Sequence, residues 1–313
     1  MRLVTYTSGP QGAGRAGVRV GHRILDIESA SRVKGEPLPS NMRALLQLGR
    51  GALSRVQSLV RAAQAGGSGG GMGSAMFEEK AVRFLPPVPD PDKFLCVGKN
   101  YRAHLEELKK KDLIKEMPAE VTGFVKVTSC FVGHDARVVK PAVVERLDYE
   151  PELVFVIGKR ALGVKASDDD AMDYAVGVTL LNDLTDRDMQ KREVESGSRF
   201  WTSKNAPGFG PIGPEIVTMD EVGDPYDLWI TCSVNGEERM RVNTRDQIWK
   251  LPQILEHFSR TIPIEPGDMF STGAPGGVAV GRVDAESLYL KAGDVVECSI
   301  EGLTTLRTTI VAP

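Results

Sequence analysis

The sequence predicts a mixed β fold with few helices, an α+β class in which short strands close or roll up into a core. Glycine and proline support this class, with 33 and 19 residues among 313, about a sixth of the chain. Short runs rich in Val, Ile, Thr and Tyr recur between Gly-containing turns, which is the pattern of strands. Segments with helical spacing are few, whereas a doubly wound sheet needs one between most strands.

The composition limits the classes of function. Lys and Arg total 39 against 42 Asp and Glu, so the net charge of −3 argues for neither nucleic acid nor a membrane surface as a partner. The sequence has no run of about 18 apolar residues and no signal pattern at its start, which predicts a cytoplasmic protein. The four cysteines lie far apart, which predicts reduced, mostly buried thiols. With only four histidines, we expect any metal to be a hard cation bound by carboxylates.

We predict two domains, a small β-rich domain over residues 1–88 and a main domain over residues 89–313. The boundary lies at a Pro-rich connector near residue 88. In the small domain, strand-like runs occupy residues 2–8, 17–21, 23–29 and 80–88. Residues 41–63 carry apolar residues at helical spacing, and the Gly-rich residues 64–76 predict a flexible surface loop.

The main domain is predicted to contain buried strands and two clear helices. The most apolar strand-like runs are residues 93–98, 152–159 and 174–183, and further strands are expected at residues 121–133, 136–141 and 264–312. Helical patterns follow Asn100 and occupy residues 247–260, the second with an internal proline. Asn235-Gly236 predicts a hairpin turn between two strands.

Residues 12–17 form a formal GxGxxG pattern, but their context argues against a dinucleotide site. Such a site needs a strand, a glycine turn and then a helix. Here the glycines lead into a strand-like run, so a hairpin connection is the better interpretation.

Three acidic residues form a candidate metal site. Glu150 and Glu152 are two apart at the start of an apolar strand, so they point to the same face. Two carboxylates placed this way repel each other unless a positive group such as a divalent cation lies between them. Asp183 directly follows another buried run and suits a third ligand, whereas Asp186 and Asp188 suit helix capping. The alternative is an exposed strand end with solvated acids.

Other candidate side chains have a plain structural alternative. His104 and Glu107 share one face of the predicted helix, where a carboxylate can hold a histidine as a general base, but a charged surface helix gives the same pattern. Lys204, which precedes a Gly- and Pro-rich loop, can stabilise developing negative charge or be an ordinary loop lysine. The Gly-rich residues 271–282 offer backbone amides for a carboxylate, or form a surface turn.

Together these segments resemble the fumarylacetoacetate hydrolase superfamily from about residue 92 to the C-terminus. The matching motifs stand in the same order and are VGKNYRAHLEE, LDYEPELVFVIGK, NDLTDRDMQ, SK followed by GFGPIGP, VNGE, IEPGDMFSTGAPGGV and IEGLTTLRTTI. The specific part is the acid pair, followed roughly thirty residues on by D-x-T-x-R-D-x-Q. The first 85 or so residues resemble, more weakly, a small extra domain that many members carry.

The resemblance implies a β-roll core, a homodimer, and Mg²⁺ or Mn²⁺ held by Glu150, Glu152 and Asp183. It implies that His104 and Glu107 are a water-activating dyad on a segment that closes over the substrate. Matching positions imply five residues that face the substrate: Arg187, Gln190, Lys204, Thr272 and Gly273. Three residues near the substrate depart from the ones usual in the family: Ala274, Pro207 and Met240. The resemblance therefore does not predict which acyl group the substrate carries.

The expected activity is hydrolysis of a C–C bond in a 2,4-diketo acid such as an acylpyruvate. In this reaction the cation polarises two adjacent oxygens, the dyad activates water, and the products are a carboxylic acid and pyruvate or a similar ketone. The alternatives on the same metal site are a decarboxylase of oxaloacetate and a hydratase or isomerase of 2-oxo acids. A protein that only binds a metal-chelated dicarboxylate is a further alternative.

Overall fold

The computed structural model describes residues 1–9, 12–66, 72–110, 119–198 and 200–313, without the side chains of residues 104, 107, 108 and 110. The strands are β1 Arg2–Thr7, β2 Arg15–Val20, β3 Arg23–Asp26, β4 Met76–Glu78, β5 Arg83–Phe84, β6 Phe94–Gly98, β7 Thr122–Val125, β8 Phe131–Val132, β9 Ala136–Val139, β10 Leu147–Asp148, β11 Pro151–Ile157, β12 Ala175–Asn182, β13 Thr185–Asp186, β14 Gly210–Thr218, β15 Trp229–Val234, β16 Glu237–Asn243, β17 Met269–Ser271, β18 Val295–Ile300 and β19 Thr304–Val311.

Helices are fewer and mostly short. The α-helices are α1 Ile27–Val33, α2 Met42–Gln47, α3 Gly49–Gly66, α4 Arg102–Lys110, α5 Arg187–Glu195, α6 Met219–Val222, α7 Leu251–Ser259 and α8 Ala285–Leu288. Single 3-10 turns lie at Met72–Ala75, Glu79–Ala81, Thr128–Cys130, Ala171–Tyr174, Thr244–Asp246 and Ala279–Gly281. The predicted mixed β class with few helices is confirmed.

The strands form a large mixed sheet, a five-stranded sheet and a small two-stranded one. The large sheet has the order β4-β3-β2-β1-β14-β12-β11-β17-β6-β7, with β5 paired to β1 and β8 to β14. The five-stranded sheet has the order β16-β15-β18-β19-β9, and β10 pairs with β13. The parallel pairs are β17 with β6, β8 with β14, and β9 with β19.

β11 is an interior strand of the large sheet, between β12 and β17, and is buried on both faces. Phe155 belongs to the core between the large and the five-stranded sheet, together with Ile230 of β15. The neighbouring Val154 faces the other side, in a core that includes Leu45 of α2 and Val56 of α3. Because successive strand residues point to opposite faces, a strand buried on both faces is apolar at most of its positions, here from Leu153 to Ile157. This explains the continuous apolar run that the sequence shows.

The first segment shares the large sheet with the rest of the chain. β1 pairs antiparallel with β14, in the register Leu3 opposite Ile216. Arg2 and Arg19 both form ion pairs with the buried carboxylate of Glu215, at 3.0 and 2.7 Å. The division at residue 88 stays a prediction, and these contacts join the two segments through one sheet.

Several predicted element boundaries are wrong. The run at residues 23–29 ends as a strand at Asp26, because that residue caps α1 by accepting from the Ser29 amide at 2.8 Å. The strand predicted at residues 80–88 is reduced to β5, and residues 64–66 belong to α3 instead of a loop. The helix predicted from residue 247 begins at Leu251, with Pro252 in its first turn, where proline fits.

Other local predictions are confirmed. The GxGxxG segment leads into β2, which pairs antiparallel with β1, so it belongs to a hairpin. Asn235 and Gly236 have φ of 53° and 80° and join β15 to β16, as the hairpin turn requires. The four cysteines are free and buried. Among the described residues, no helix combines the length and apolar character that crossing a membrane requires.

Candidate metal centre

Glu150, Glu152 and Asp183 meet at one edge of the large sheet. β11 begins at Pro151 and β12 ends at Asn182, and these two residues are paired across the antiparallel strands. The Asp183 amide donates to the Glu150 carbonyl at 2.8 Å, which closes this edge. The three buried side chains each offer a carboxylate oxygen, and these oxygens lie within 4.8 Å of one another. The structure therefore brings together the three ligands that the sequence predicts.

Two buried lysines contact the cluster. Lys204 Nζ donates to Asp183 Oδ2 at 2.5 Å, to Thr185 Oγ1 at 2.8 Å and to Glu150. Lys126 Nζ donates to Asp183 Oδ1 at 2.7 Å and to the carbonyls of Phe209 and Lys204. Burial opposes the charged form of each lysine, but the nearby carboxylates, Asp183 above all, raise the pKa of both above the ordinary value.

The donor set fits a divalent cation. Burial raises the pKa of Glu152 well above its ordinary value, and the neighbouring charges of Asp183 and Glu150 add to this shift. The Glu152 carboxylate accepts hydrogen bonds from Ser271 and from the Gly273 amide, the latter at 3.2 Å. A hard cation among the three carboxylates would supply the positive charge that Glu152 needs, and oxygen ligands are the ones that Mg²⁺ and Mn²⁺ prefer.

Arg187 links the cluster to a fourth buried carboxylate, that of Asp148. Its guanidinium contacts Asp148 Oδ2 at 2.7 Å and Glu150 Oε1 at 2.5 Å, and it donates to Gln190 Oε1 at 2.8 Å. Asp186 caps α5, the helix that carries both Arg187 and Gln190, by accepting from the Asp188 and Met189 amides at 3.1 Å. The capping interpretation of Asp186 is confirmed.

The Gly-rich loop after β17 binds carboxylates of the protein itself. The Gly273 amide donates to Glu152, and the Ala279 and Val280 amides donate to Asp148 at 3.0 and 2.9 Å. Gly273 has φ of 89°, and a Cβ there would lie 2.6 Å from the Val97 carbonyl oxygen, so this position requires glycine. The side chain of Thr272 is fully buried and donates to the Leu153 carbonyl at 3.0 Å.

The start of α4 is attached to the same loop. Asn100 donates to the carbonyls of Thr272 and Trp249 at 2.9 and 3.0 Å and accepts from the Trp249 amide at 2.6 Å. The helix that follows contains positions 104 and 107, as predicted. The side chains of His104 and Glu107 lie outside the described residues, so their pairing stays a prediction.

Sequence reasoning missed Asp148 and Lys126. Asp148 continues the alternation of acids at 150 and 152, and that spacing could have indicated it. Lys126 interrupts a strand-like apolar run, and a charge within such a run is a usable signal for a buried ionic contact.

The fold and the site define a class: a β-rich core with a buried carboxylate cluster suited to a divalent metal. The family model for the fumarylacetoacetate (FAA) hydrolase C-terminal domain matches residues 93–311. The chain belongs to the fumarylacetoacetate hydrolase family, as its motifs predicted.

Relatives with curated names and solved structures extend this result. The chain is 33% identical to the mitochondrial oxaloacetate tautomerase of Xenopus laevis, over 99% of this chain and 90% of that protein. It is 28% identical to a fumarylacetoacetate hydrolase of Exiguobacterium antarcticum, with a TM-score of 0.77 and full coverage of both chains. It is 27% identical to the maleylpyruvate hydrolase of Sphingobium sp. SYK-6 in complex with manganese(II) and pyruvate, with a TM-score of 0.75 and coverage of 100% and 99%.

Proposed function

We propose that the protein is a divalent-metal-dependent enzyme that interconverts the keto and enol forms of oxaloacetate or a similar 2-oxo acid. The observation that carries this proposal is the buried convergence of Glu150, Glu152 and Asp183. Similarity to an oxaloacetate tautomerase over nearly the whole chain supports the choice of reaction. Mg²⁺ and Mn²⁺ are the metals proposed, and a relative solved with manganese(II) and pyruvate supports a divalent ion.

The proposed ligands are Glu150, Glu152 and Asp183, and a cation held there would supply a Lewis acid for two adjacent oxygens of a 2-oxo acid. Lys204 ties Glu150 to Asp183 and brings a positive charge to the site, which favours oxygens that gain negative charge. Arg187 orients Glu150 through its ion pair. The amide of Gly273 holds Glu152. The substrate-facing roles of Arg187, Gln190, Lys204, Thr272 and Gly273 are part of the proposal.

His104 is the proposed base, held in the required tautomer by Glu107. In the keto-to-enol direction, a ring nitrogen of His104 takes a proton from C3, and the imidazolium returns it to the oxygen on C2. No atom is gained or lost, so the reaction releases neither pyruvate nor CO₂. The attachment of α4 through Asn100 to the loop of Thr272 and Gly273 supports the placement of this helix at the site.

Hydrolysis of a 2,4-diketo acid is the second candidate. Similarity to a maleylpyruvate hydrolase supports it, and so does the predicted dyad. In this reaction His104 takes a proton from water, and the water oxygen bonds to the distal carbonyl carbon. The C–C bond then breaks, and the imidazolium returns the proton to C3 of the leaving enolate, which gives a carboxylic acid and pyruvate. Decarboxylation of oxaloacetate is a third reaction open to the same residues.

One set of assays separates these reactions. With Mg²⁺ or Mn²⁺ added, we expect the protein to accelerate the loss of the enol absorbance of oxaloacetate and the exchange of its C3 protons for deuterium. Pyruvate, followed with lactate dehydrogenase, should not exceed a control with metal alone. Pyruvate from an acylpyruvate would favour the second candidate, and excess pyruvate from oxaloacetate would favour decarboxylation. If none of these substrates reacts, the proposed function is wrong.

A homodimer and a cytoplasmic location also belong to the proposal. The homodimer follows from the family resemblance alone. A cytoplasmic location is proposed beside it, whereas the Xenopus laevis relative is named mitochondrial. The proposed small-molecule partner is a 2-oxo acid.

A further inference from the structure

Two phenylalanine rings border the carboxylate cluster. The centroid of the Phe124 ring lies 5.4 Å from Lys204 Nζ, the same ammonium group that donates to Asp183 and Glu150. The ring of Phe200 packs edge-on against Phe124, with centroids 5.4 Å apart and an interplanar angle of 89°. Both side chains keep part of their surface exposed. We call Phe124 and Phe200 the aromatic shelf.

The backbone around the aromatic shelf holds it in place. Asn205, next to Lys204, donates to the carbonyls of Val125 and Trp201 at 3.2 and 2.9 Å, which joins the two segments that carry the rings. Phe200 itself has φ of 30°, in the left-handed region that bulky residues rarely adopt. Such a conformation persists only where surrounding contacts determine it. The contacts of Asn205 and this backbone conformation hold the two ring-bearing segments next to each other.

A further exposed apolar side chain stands next to the shelf in the chain. Trp201, which follows Phe200, is 56% exposed. Because the Phe124 ring lies 5.4 Å from Lys204 Nζ, the shelf is continuous with the candidate metal centre. A ligand anchored at the carboxylates is thus the occupant that this continuity favours.

We propose that the aromatic shelf receives a planar, apolar substituent of a 2-oxo acid, so that the protein binds 2-oxo acids with an aromatic ring more tightly than those without one. The proposal rests on the proposed function, because it assumes that the 2-oxo acid end binds at Glu150, Glu152 and Asp183. Aromatic rings pack well edge to face, whereas their negative faces offer little to the second carboxylate of oxaloacetate. The shelf therefore extends the substrate class to aromatic 2-oxo acids.

The test compares pyruvate with phenylpyruvate, which differ only by a phenyl ring. Calorimetric titration of the full-length, Mg²⁺-loaded protein should give about tenfold tighter binding of phenylpyruvate. Phe200→Ala and Phe124→Leu should each bring this ratio close to one by weakening the binding of phenylpyruvate. Phe77→Leu is the matched control, since Phe77 pairs with Tyr6 at 5.7 Å in the first segment, and it should keep the wild-type ratio. Phe200→Leu replaces Phe200→Ala if the latter does not fold.

Each outcome is decisive. Equal affinities in the wild type, or a ratio that persists in both shelf variants, would overturn the shelf and leave the proposed function standing. If neither ligand binds the wild type, the oxaloacetate assays separate the two failures: activity there overturns the shelf and leaves the proposed function standing, whereas no activity overturns both. A second copy of the chain is the other possible occupant, and sedimentation of the wild type and the shelf variants tests it. If the variants change the oligomeric state but keep the ratio of the two affinities, the shelf is a contact between copies and the proposal is wrong.

Discussion

Lys126 is the most deeply buried cation in the described part of the candidate metal centre, and its three N–H groups all point to oxygens of the protein. It is 2% exposed and contacts Asp183 together with the carbonyls of Lys204 and Phe209. Because Lys204 precedes the Gly- and Pro-rich loop, the ammonium group of Lys126 fixes both a proposed ligand and the backbone of a proposed substrate-facing residue. Lys126 is therefore a positioning residue.

Replacing Lys126 by methionine should destabilise the protein strongly. The variant removes the ammonium group that donates to Asp183 Oδ1 and to two carbonyl oxygens, and breaking such a buried ion pair typically costs about 3–5 kcal/mol. Lys159→Met is the control, because Lys159 is 47% exposed and paired with Asp170 at 2.6 Å, and such a pair is worth less than about 1 kcal/mol. Urea unfolding at one pH measures both free energies. Similar losses in the two variants would contradict the role given to Lys126.

The predicted base is tested by His104→Ala. General-base catalysis typically contributes 10²–10⁴-fold, so keto–enol interconversion and any hydrolysis of acylpyruvate should fall by about that factor. Decarboxylation of oxaloacetate should fall much less, because it needs charge stabilisation and no base. Metal affinity, measured by titration, should hardly change, since position 104 is not among the proposed ligands. Wild-type rates in the variant would remove His104 from the mechanism.

At the scale of elements, the sequence predicted the strands that build the site better than the loops that complete it. The continuous apolar runs identified β11 and β12, and the positions of Glu150, Glu152 and Asp183 follow from where these strands begin and end. For the Gly-rich loop, the sequence permits either amides that bind a carboxylate or a plain surface turn, because local sequence does not identify the acceptors of its amides. The structure assigns them to Glu152 and Asp148, which come from a distant part of the chain.

The failures at the boundaries share a cause. The sequence RILDIES alternates like a strand, yet Asp26 accepts a hydrogen bond from Ser29 and starts α1. A capping side chain competes with the strand pattern, and the tertiary contacts of Asp26 with Arg15 and Tyr6 decide the outcome. These contacts join residues 11 and 20 positions apart, which periodicity does not report.

The same contacts predict a pH dependence of stability. Burial opposes the charge of Asp26, but hydrogen bonds from Arg15 and Tyr6 lower its pKa from 3.8 to about 2. A carboxylate with a lowered pKa stabilises the fold above its unfolded pKa and loses this contribution as the pH falls towards 2. The difference in the free energy of unfolding between the wild type and Asp26→Asn should therefore fall by about 2 kcal/mol from pH 6 to pH 2.

Urea unfolding of the wild type and Asp26→Asn at several pH values measures this difference. Asparagine keeps an oxygen that can cap α1, so the pH-dependent part reports the charge. Asp173→Asn is the control, since Asp173 is 57% exposed in its ion pair with Arg50, and its difference from the wild type should stay within about 1 kcal/mol. A pH-independent difference for Asp26→Asn would contradict the prediction.

At the scale of the whole molecule, one sheet joins the first segment to the strands of the metal centre. β1 pairs with β14, β14 with β12, and β12 with β11, so Glu215 lies in the same sheet as the proposed ligand Glu152. This continuity was outside the reach of sequence reasoning, which divided the chain at a proline-rich connector from local composition alone.

Assembly is predicted to be homodimeric, from the family resemblance. Sedimentation equilibrium at micromolar concentration should give a mass of twice 34.0 kDa or a multiple of it. A single species at the monomer mass would show that the prediction is wrong.

Metal binding should stabilise the whole molecule. The Glu152 carboxylate should lower stability without metal and raise it with metal, and Glu152→Gln should remove both effects. Mg²⁺ or Mn²⁺ at 100 times its Kd should add about 2.7 kcal/mol to the free energy of unfolding, because the ion binds only the folded chain.

After exhaustive chelation, the wild type carries Glu152 buried beside Asp183 and Glu150, in surroundings that raise its pKa and disfavour its charge. Glutamine keeps the shape without the charge, so the metal-free variant should be at least as stable as the metal-free wild type. The same variant should lose most of the gain that metal gives. Thermal unfolding of both proteins, with chelator and with added metal, measures the four values. A variant that is much less stable than the wild type without metal, yet gains as much from it, would show that Glu152 serves packing and not coordination.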